Sequence, residues 1–152
     1  MVPRSRRLEP VVEVTADVER RAARAFGEAE TRVAAAEQKL AELERYAQDY
    51  RGALRERTAT GIDAPQLQAF HGFIGRLGEA VAQQAAAVRR ACEERDLARE
   101  RWLEASRRAR AVGRVVETAT QAERREQDRR DQHDFDERAQ RAYLAAAASR
   151  PR

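Results

Sequence analysis

The stretch TATGIDAP (residues 58–65) is the one cluster of turn-forming residues in the middle of this chain. Gly61 suits the left-handed backbone conformation that often follows the end of a helix. Asp63, with Gln66 three residues later, is typical of a capping box at a helix start, and Pro65 is tolerated in a first helical turn. Proline-free stretches of 54 and 85 residues flank this cluster. The segment therefore predicts two long helices joined by one short turn.

Apolar residues repeat every seven positions on both sides of this turn, which is typical of a coiled coil. In the first predicted helix the a positions are Val12, Glu19, Phe26, Val33, Leu40, Ala47 and Leu54, and the d positions are Thr15, Ala22, Ala29, Ala36, Leu43 and Tyr50. In the second the a positions are Leu67, Ile74, Val81, Val88, Arg95, Trp102, Ala109 and Val116, and the d positions are Phe70, Leu77, Gln84, Ala91, Ala98, Ala105, Val112 and Ala119. The pattern predicts an all-α fold, a long antiparallel two-helix coiled-coil hairpin.

Folding about the turn places an a residue opposite a d residue when their numbers sum to 124. Large residues then repeatedly face alanines, which favours close packing. The predicted pairs are Phe26–Ala98, Trp102–Ala22, Val33–Ala91, Val88–Ala36 and Leu77–Ala47, with Arg95 opposite Ala29 and Gln84 opposite Leu40. The two polar seam residues are expected to fix the register at some cost in stability.

The periodicity divides the chain into three segments. Residues 10–119 form the hairpin, with its turn at 58–65. Residues 1–9 are a basic N-terminal arm, in which a short disordered tail is the ordinary expectation. Residues 120–152 are a charged C-terminal helical overhang and tail, because the apolar seam ends at Ala119 and acids and arginines then alternate without an apolar stripe.

Composition limits the possible functions. The net charge is only +4 because arginines alternate with acids along both helices, which argues against an Arg-rich nucleic-acid-binding hairpin, the alternative from another class. A single cysteine excludes an intrachain disulfide and suits a reducing compartment. With no signal-peptide pattern and no apolar run of membrane-spanning length, the sequence predicts a cytoplasmic location.

No group of residues supports catalysis, metal binding or cofactor binding. His71 and Cys92 are 21 residues apart, which separates them by roughly 30 Å along a helix. His133, Asp134 and Asp136 are metal ligands by type, but their spacing does not put all three on one helical face. The chain is therefore expected to be no enzyme and to act by contacting other proteins.

Two aromatic residues occupy g positions near the turn, Tyr46 on the first helix and Phe73 on the second. In an antiparallel pair the g edges of the two helices lie side by side, so both rings are predicted on one flank outside the seam. Two interpretations stay open. The rings form an exposed surface for a partner, or they broaden the core near the turn.

Three stretches carry a family resemblance: LAELERYAQDYRGAL (residues 40–54), GIDAPQLQAFHGFIGRLGEAVAQQ (61–84) and DERAQRA (136–142). Together with Trp102 they resemble the FliJ family of flagellar type III export proteins, over nearly the whole chain. The resemblance implies a cytosolic antiparallel coiled coil similar to the rotor stalk of rotary ATPases. The equivalent stalk of a virulence type III secretion system is the alternative within the same mechanical class.

The resemblance also implies partners. Family members bind the hexameric flagellar export ATPase and the cytoplasmic domain of the membrane export-gate protein, escort substrate chaperones, and lie peripheral to the inner membrane at the flagellar base through those partners. Carried over by position, the gate-binding surface falls on Lys39, Leu43, Tyr46, Tyr50, Phe73, Leu77, Ala80 and Gln84. Likeness to a rotor stalk assigns the ATPase contact to the open end of the hairpin and to the overhang.

Overall fold

A computed structural model describes residues 1–150 and contains two long helices packed against each other. Helix α1 is Arg4–Thr60 and helix α2 is Ala64–Ala148. The described residues contain no strand, so the predicted all-α helical hairpin is confirmed. The last two residues of the predicted tail, Pro151 and Arg152, lie outside the described residues.

The turn has the chemistry that its sequence predicts. Among residues 1–150, Gly61 is the one residue with a left-handed backbone, at a φ of 96°. The Gln66 N–H donates to the Asp63 carboxylate at 2.9 Å, and the Leu67 N–H donates to the Asp63 carbonyl at 3.0 Å. Asp63 therefore caps the start of α2, and Pro65 lies within the first turn, where the missing N–H costs nothing.

The predicted seams are the covered faces of both helices. Every a and d residue named above is buried or half-buried, and none is exposed. The most deeply buried apolar residues all belong to these positions: Ala29, Val33, Ala47, Leu77 and Ala105. Three of the five are alanines, which agrees with a seam in which small side chains let the two helices approach closely.

The described chain divides into two compact units. The turn unit is Glu19–Ala105, and the terminal unit combines Met1–Val18 with the chain from Ser106 onward.

Inside the turn unit, Phe26 and Trp102 stack with ring centroids 5.8 Å apart and planes 10° from parallel. The predicted layers gave each ring an alanine opposite and did not include this contact between the rings. The Gln84 amide donates to the Ala36 carbonyl at 3.0 Å. Gln84 was predicted to face Leu40, but the side chain of Leu40 offers no acceptor, so the amide reaches a backbone carbonyl instead. The remaining polar seam residue, Arg95, turns its guanidinium towards neighbouring Asp96, 3.0 Å away.

The terminal unit differs from the predicted segmentation. Helix α1 already begins at Arg4, so residues 4–9, predicted as a separate basic arm, are helical. Ser5 and Leu8 are half-buried and continue the a and d positions by one heptad, and Glu123 and Glu126 do the same on α2. The covered face therefore extends beyond Ala119. This extra heptad contains polar residues, so a search for apolar periodicity misses it.

Candidate partner-binding surface

Four aromatic rings from both helices meet near the turn and are called here the aromatic cluster: Tyr46 and Tyr50 of α1 with Phe70 and Phe73 of α2. Tyr50 is the central ring, with its centroid 4.4 Å from that of Phe73, 5.2 Å from that of Phe70 and 6.2 Å from that of Tyr46. Tyr46 meets Phe73 edge-on, with centroids 6.2 Å apart and an interplanar angle of 83°. These are favourable aromatic geometries. The predicted side-by-side placement of Tyr46 and Phe73 is confirmed.

Exposure separates the rings into two kinds. Tyr46 is 52% exposed, whereas Tyr50, Phe70 and Phe73 are half-buried. The two interpretations left open by the sequence therefore each hold for one ring: Phe73 packs against the seam residue Tyr50, and Tyr46 lies on the surface. An exposed ring fixed by packed rings beneath it is pre-organised for contact with a partner, because little side-chain freedom remains to be lost.

A cation also borders the aromatic cluster. The guanidinium carbon of Arg76 lies 5.8 Å from the centroid of the Phe73 ring, within cation–π range. Arg76 was not among the predicted site residues, although its spacing of three residues from Phe73 on a helix indicates the contact. Phe70 was treated as a seam residue alone. Arginine and tyrosine are both residue types enriched at protein interaction hot spots.

Open grooves lie beside the aromatic cluster. One groove of about 410 Å³ lies against Tyr50 and Phe70 and is bordered by Ala53, Glu56, Arg57 and Thr60.

Within residues 1–150 no group of His, Cys, Asp and Glu side chains could hold a metal ion. None of the helices in these residues is both long and apolar enough to cross a membrane.

The family model described as "Flagellar FliJ protein" matches residues 4–148. The chain belongs to the FliJ family. The match includes all of α1 and α2, and the resemblance seen in the sequence is confirmed. Family membership assigns the chain a role related to flagellar protein export. Neither the curated proteins nor the solved structures contain a match to this chain.

The eight positions carried over from the FliJ family differ in accessibility. Lys39 and Tyr46 are exposed, and Leu77 is 7% exposed and therefore belongs to the core. The other five are half-buried: Leu43, Tyr50, Phe73, Ala80 and Gln84. The set thus combines two exposed residues with six that are covered to different degrees.

Hydrogen bonds shift the pKa of two described groups. The hydrogen bond from Arg95 to Asp96 raises the pKa of Arg95, which is charged at physiological pH in any case. In the terminal unit, hydrogen bonds from the Ser5 hydroxyl and amide lower the pKa of Glu123. Neither group belongs to the aromatic cluster.

Proposed function

We propose that this chain is a non-enzymatic stalk and adaptor of the flagellar type III export apparatus. It links the export ATPase ring to the export gate and escorts substrate chaperones. The observation that carries the proposal is the aromatic cluster, in which an exposed tyrosine contacts two packed rings in a chain of the FliJ family. The protein is located in the cytoplasm at the flagellar base, and it is attached to the membrane through its partners.

The gate-binding surface is the part of the aromatic cluster that a partner can reach. Tyr46 offers a ring and a hydroxyl, and Arg76 offers a cation over the neighbouring ring of Phe73. Lys39 is a further exposed cation, one heptad and about 10 Å before Tyr46 along α1. This combination favours a partner surface with an apolar pocket for the tyrosine and acidic groups around it.

The ATPase contact is assigned to the exposed end of α2. Every described residue from 127 to 150 is exposed. Phe135 is 67% exposed, Tyr143 75% and Leu144 58%. Large apolar side chains on an unpaired helical segment favour burial against another protein, and likeness to a rotor stalk favours the ATPase ring as that protein.

The adaptor role is tested by asking whether both partners bind at once. Sedimentation velocity on the full chain mixed with the ATPase hexamer and the soluble gate domain is expected to give one complex containing all three. A chain truncated after Glu126, the last half-buried residue of α2, is expected to bind the gate domain as before and to lose binding to the ATPase. Displacement of the gate domain by the ATPase, or full ATPase binding by the truncated chain, would contradict the adaptor assignment.

A further inference from the structure

Helix α1 has two possible first residues. In the structure it begins at Arg4. The sequence instead favours a start at Pro10, because proline suits the first turn of a helix and disfavours the interior, where it has no N–H to donate to the carbonyl of Arg6. Pro10 lies inside the observed helix. Residues 4–9 are therefore joined to the rest of α1 through a weakened point in the backbone ladder.

The early start is capped by the other helix. Helix α1 has no acidic residue in its first turn, and the residue before it, Pro3, has no side-chain acceptor. Glu123 of α2 supplies both the acidic group and the hydrogen-bond acceptor. Its Oε1 accepts the Ser5 amide at 3.0 Å, and its Oε2 accepts the Ser5 hydroxyl at 2.6 Å. A carboxylate on the free N–H groups of a helix start is stabilising through hydrogen bonding and through the helix dipole.

Residues on both sides of this contact line one surface groove. The groove has a volume of about 480 Å³, and Arg4 and Glu123 line it together with Val115, Ala119 and Ala122. Val115 is 47% exposed. The groove therefore borders the Ser5–Glu123 contact, with Glu123 itself in its wall.

We propose that residues 4–9 form a switch segment with two states. In the closed state α1 begins at Arg4 and Glu123 latches Ser5. In the open state α1 begins at Pro10, Leu8 leaves the seam, and Arg4, Arg6 and Arg7 are released on a flexible arm. The sequence preference for Pro10 sets the open state, and the Glu123 latch sets the closed one. This inference concerns the terminal unit alone and does not depend on the proposed export function.

Hydrogen exchange on the full chain, resolved by residue, tests the latch. Glu123→Ala is expected to speed exchange of the amides of residues 4–9 about tenfold or more, because charge-assisted hydrogen bonds are lost. Exchange in α1 beyond Thr15 should stay unchanged. Ser5→Ala keeps the hydrogen bond from the backbone amide to Glu123 and removes the one from the hydroxyl, so it should give a smaller increase in the exchange rate. Glu117→Ala is the matched control, since Glu117 is an exposed carboxylate on the same helix, and it should have no effect.

Pro10→Ala tests the hinge separately. Alanine supplies the missing N–H and favours the helix interior, so it stabilises the closed state. Exchange of residues 4–9 should therefore slow about tenfold. The proposal is overturned if Glu123→Ala leaves these amides protected, if Glu117→Ala has the same effect, or if the faster exchange spreads evenly along α1. An unchanged exchange rate in Pro10→Ala would contradict the role of Pro10 as the hinge of the switch segment.

Discussion

The aromatic cluster of the turn unit and the Ser5–Glu123 contact of the terminal unit join α1 to α2 by different means. In the turn unit four rings contact one another across the two helices. In the terminal unit the corresponding role falls to a carboxylate, a hydroxyl and an amide. Ring packing is insensitive to pH and leaves apolar surface for a partner, whereas the polar contact is local and reversible. The difference suits a fixed binding surface in one unit and a movable segment in the other.

The largest stability effect is expected at the centre of the aromatic cluster. Tyr50→Ala removes the ring that contacts the three others and should lower the free energy of unfolding by about 3 kcal/mol. Urea unfolding measures this. Tyr143→Ala, at a tyrosine that is 75% exposed, should change it by less than about 0.5 kcal/mol. Equal losses at the two positions would mean that the cluster does not hold the turn unit together.

Overpacking the seam should have the next largest effect. Ala29 is 1% exposed, so Ala29→Leu has no room and should cost about 1–3 kcal/mol. Ala35→Leu, at an exposed position on the same helix, should be nearly neutral. The comparison is read from the midpoints of thermal or urea unfolding. A neutral Ala29→Leu would show that the seam is looser than its burial indicates.

Two glycines, one from each unit, should respond with opposite signs. Gly61 has a φ of 96°, so Gly61→Ala should destabilise by about 1 kcal/mol because an L side chain is strained there. Gly113 lies inside α2 with nothing within 4 Å of an added Cβ, so Gly113→Ala should stabilise by up to about 1 kcal/mol. Shifts of the same sign would contradict the assignment of a turn to one glycine and a helix interior to the other.

The smallest effect is a pH dependence of the terminal unit. Ser5 lowers the pKa of Glu123 below its ordinary value of 4.5, and the nearby Arg7 cation acts in the same direction. A carboxylate whose pKa is lowered by folding stabilises the folded state above pH 4.5, and this contribution is lost as the pH falls through the lowered value. The Ser5 amide shift in NMR should follow that loss and be flat in Glu123→Gln. A midpoint at or above pH 4.5 would mean that the carboxylate is not held by Ser5.

How much the sequence predicts also differs between the two units. The turn, the heptad register and the adjacency of Tyr46 and Phe73 follow from Gly61, Asp63 and a seven-residue apolar repeat, all local or periodic signals. The stacking of Phe26 on Trp102 does not, because residue numbers define opposite positions but not the direction in which large rings lean.

The hairpin was predicted to begin at residue 10, after a basic arm of residues 1–9. The structure begins it at Arg4 because a carboxylate 118 residues away in the chain caps it. Apolar periodicity cannot detect such a contact, since its members are Ser5 and Glu123. In the same way, register could place Phe73 on the flank but could not show that its ring packs on Tyr50.

The central claim is that the exposed part of the aromatic cluster binds the export gate, and one affinity comparison tests it. The soluble gate domain is titrated calorimetrically into three proteins: wild type, Tyr46→Ala and Tyr143→Ala. Both variants replace an exposed tyrosine. We predict that Tyr46→Ala weakens binding roughly thirtyfold, as for a hot-spot residue worth about 2 kcal/mol, with unchanged helicity and melting, and that Tyr143→Ala binds as wild type does. Wild-type affinity in a folded Tyr46→Ala protein, or equal weakening in both variants, would contradict the claim.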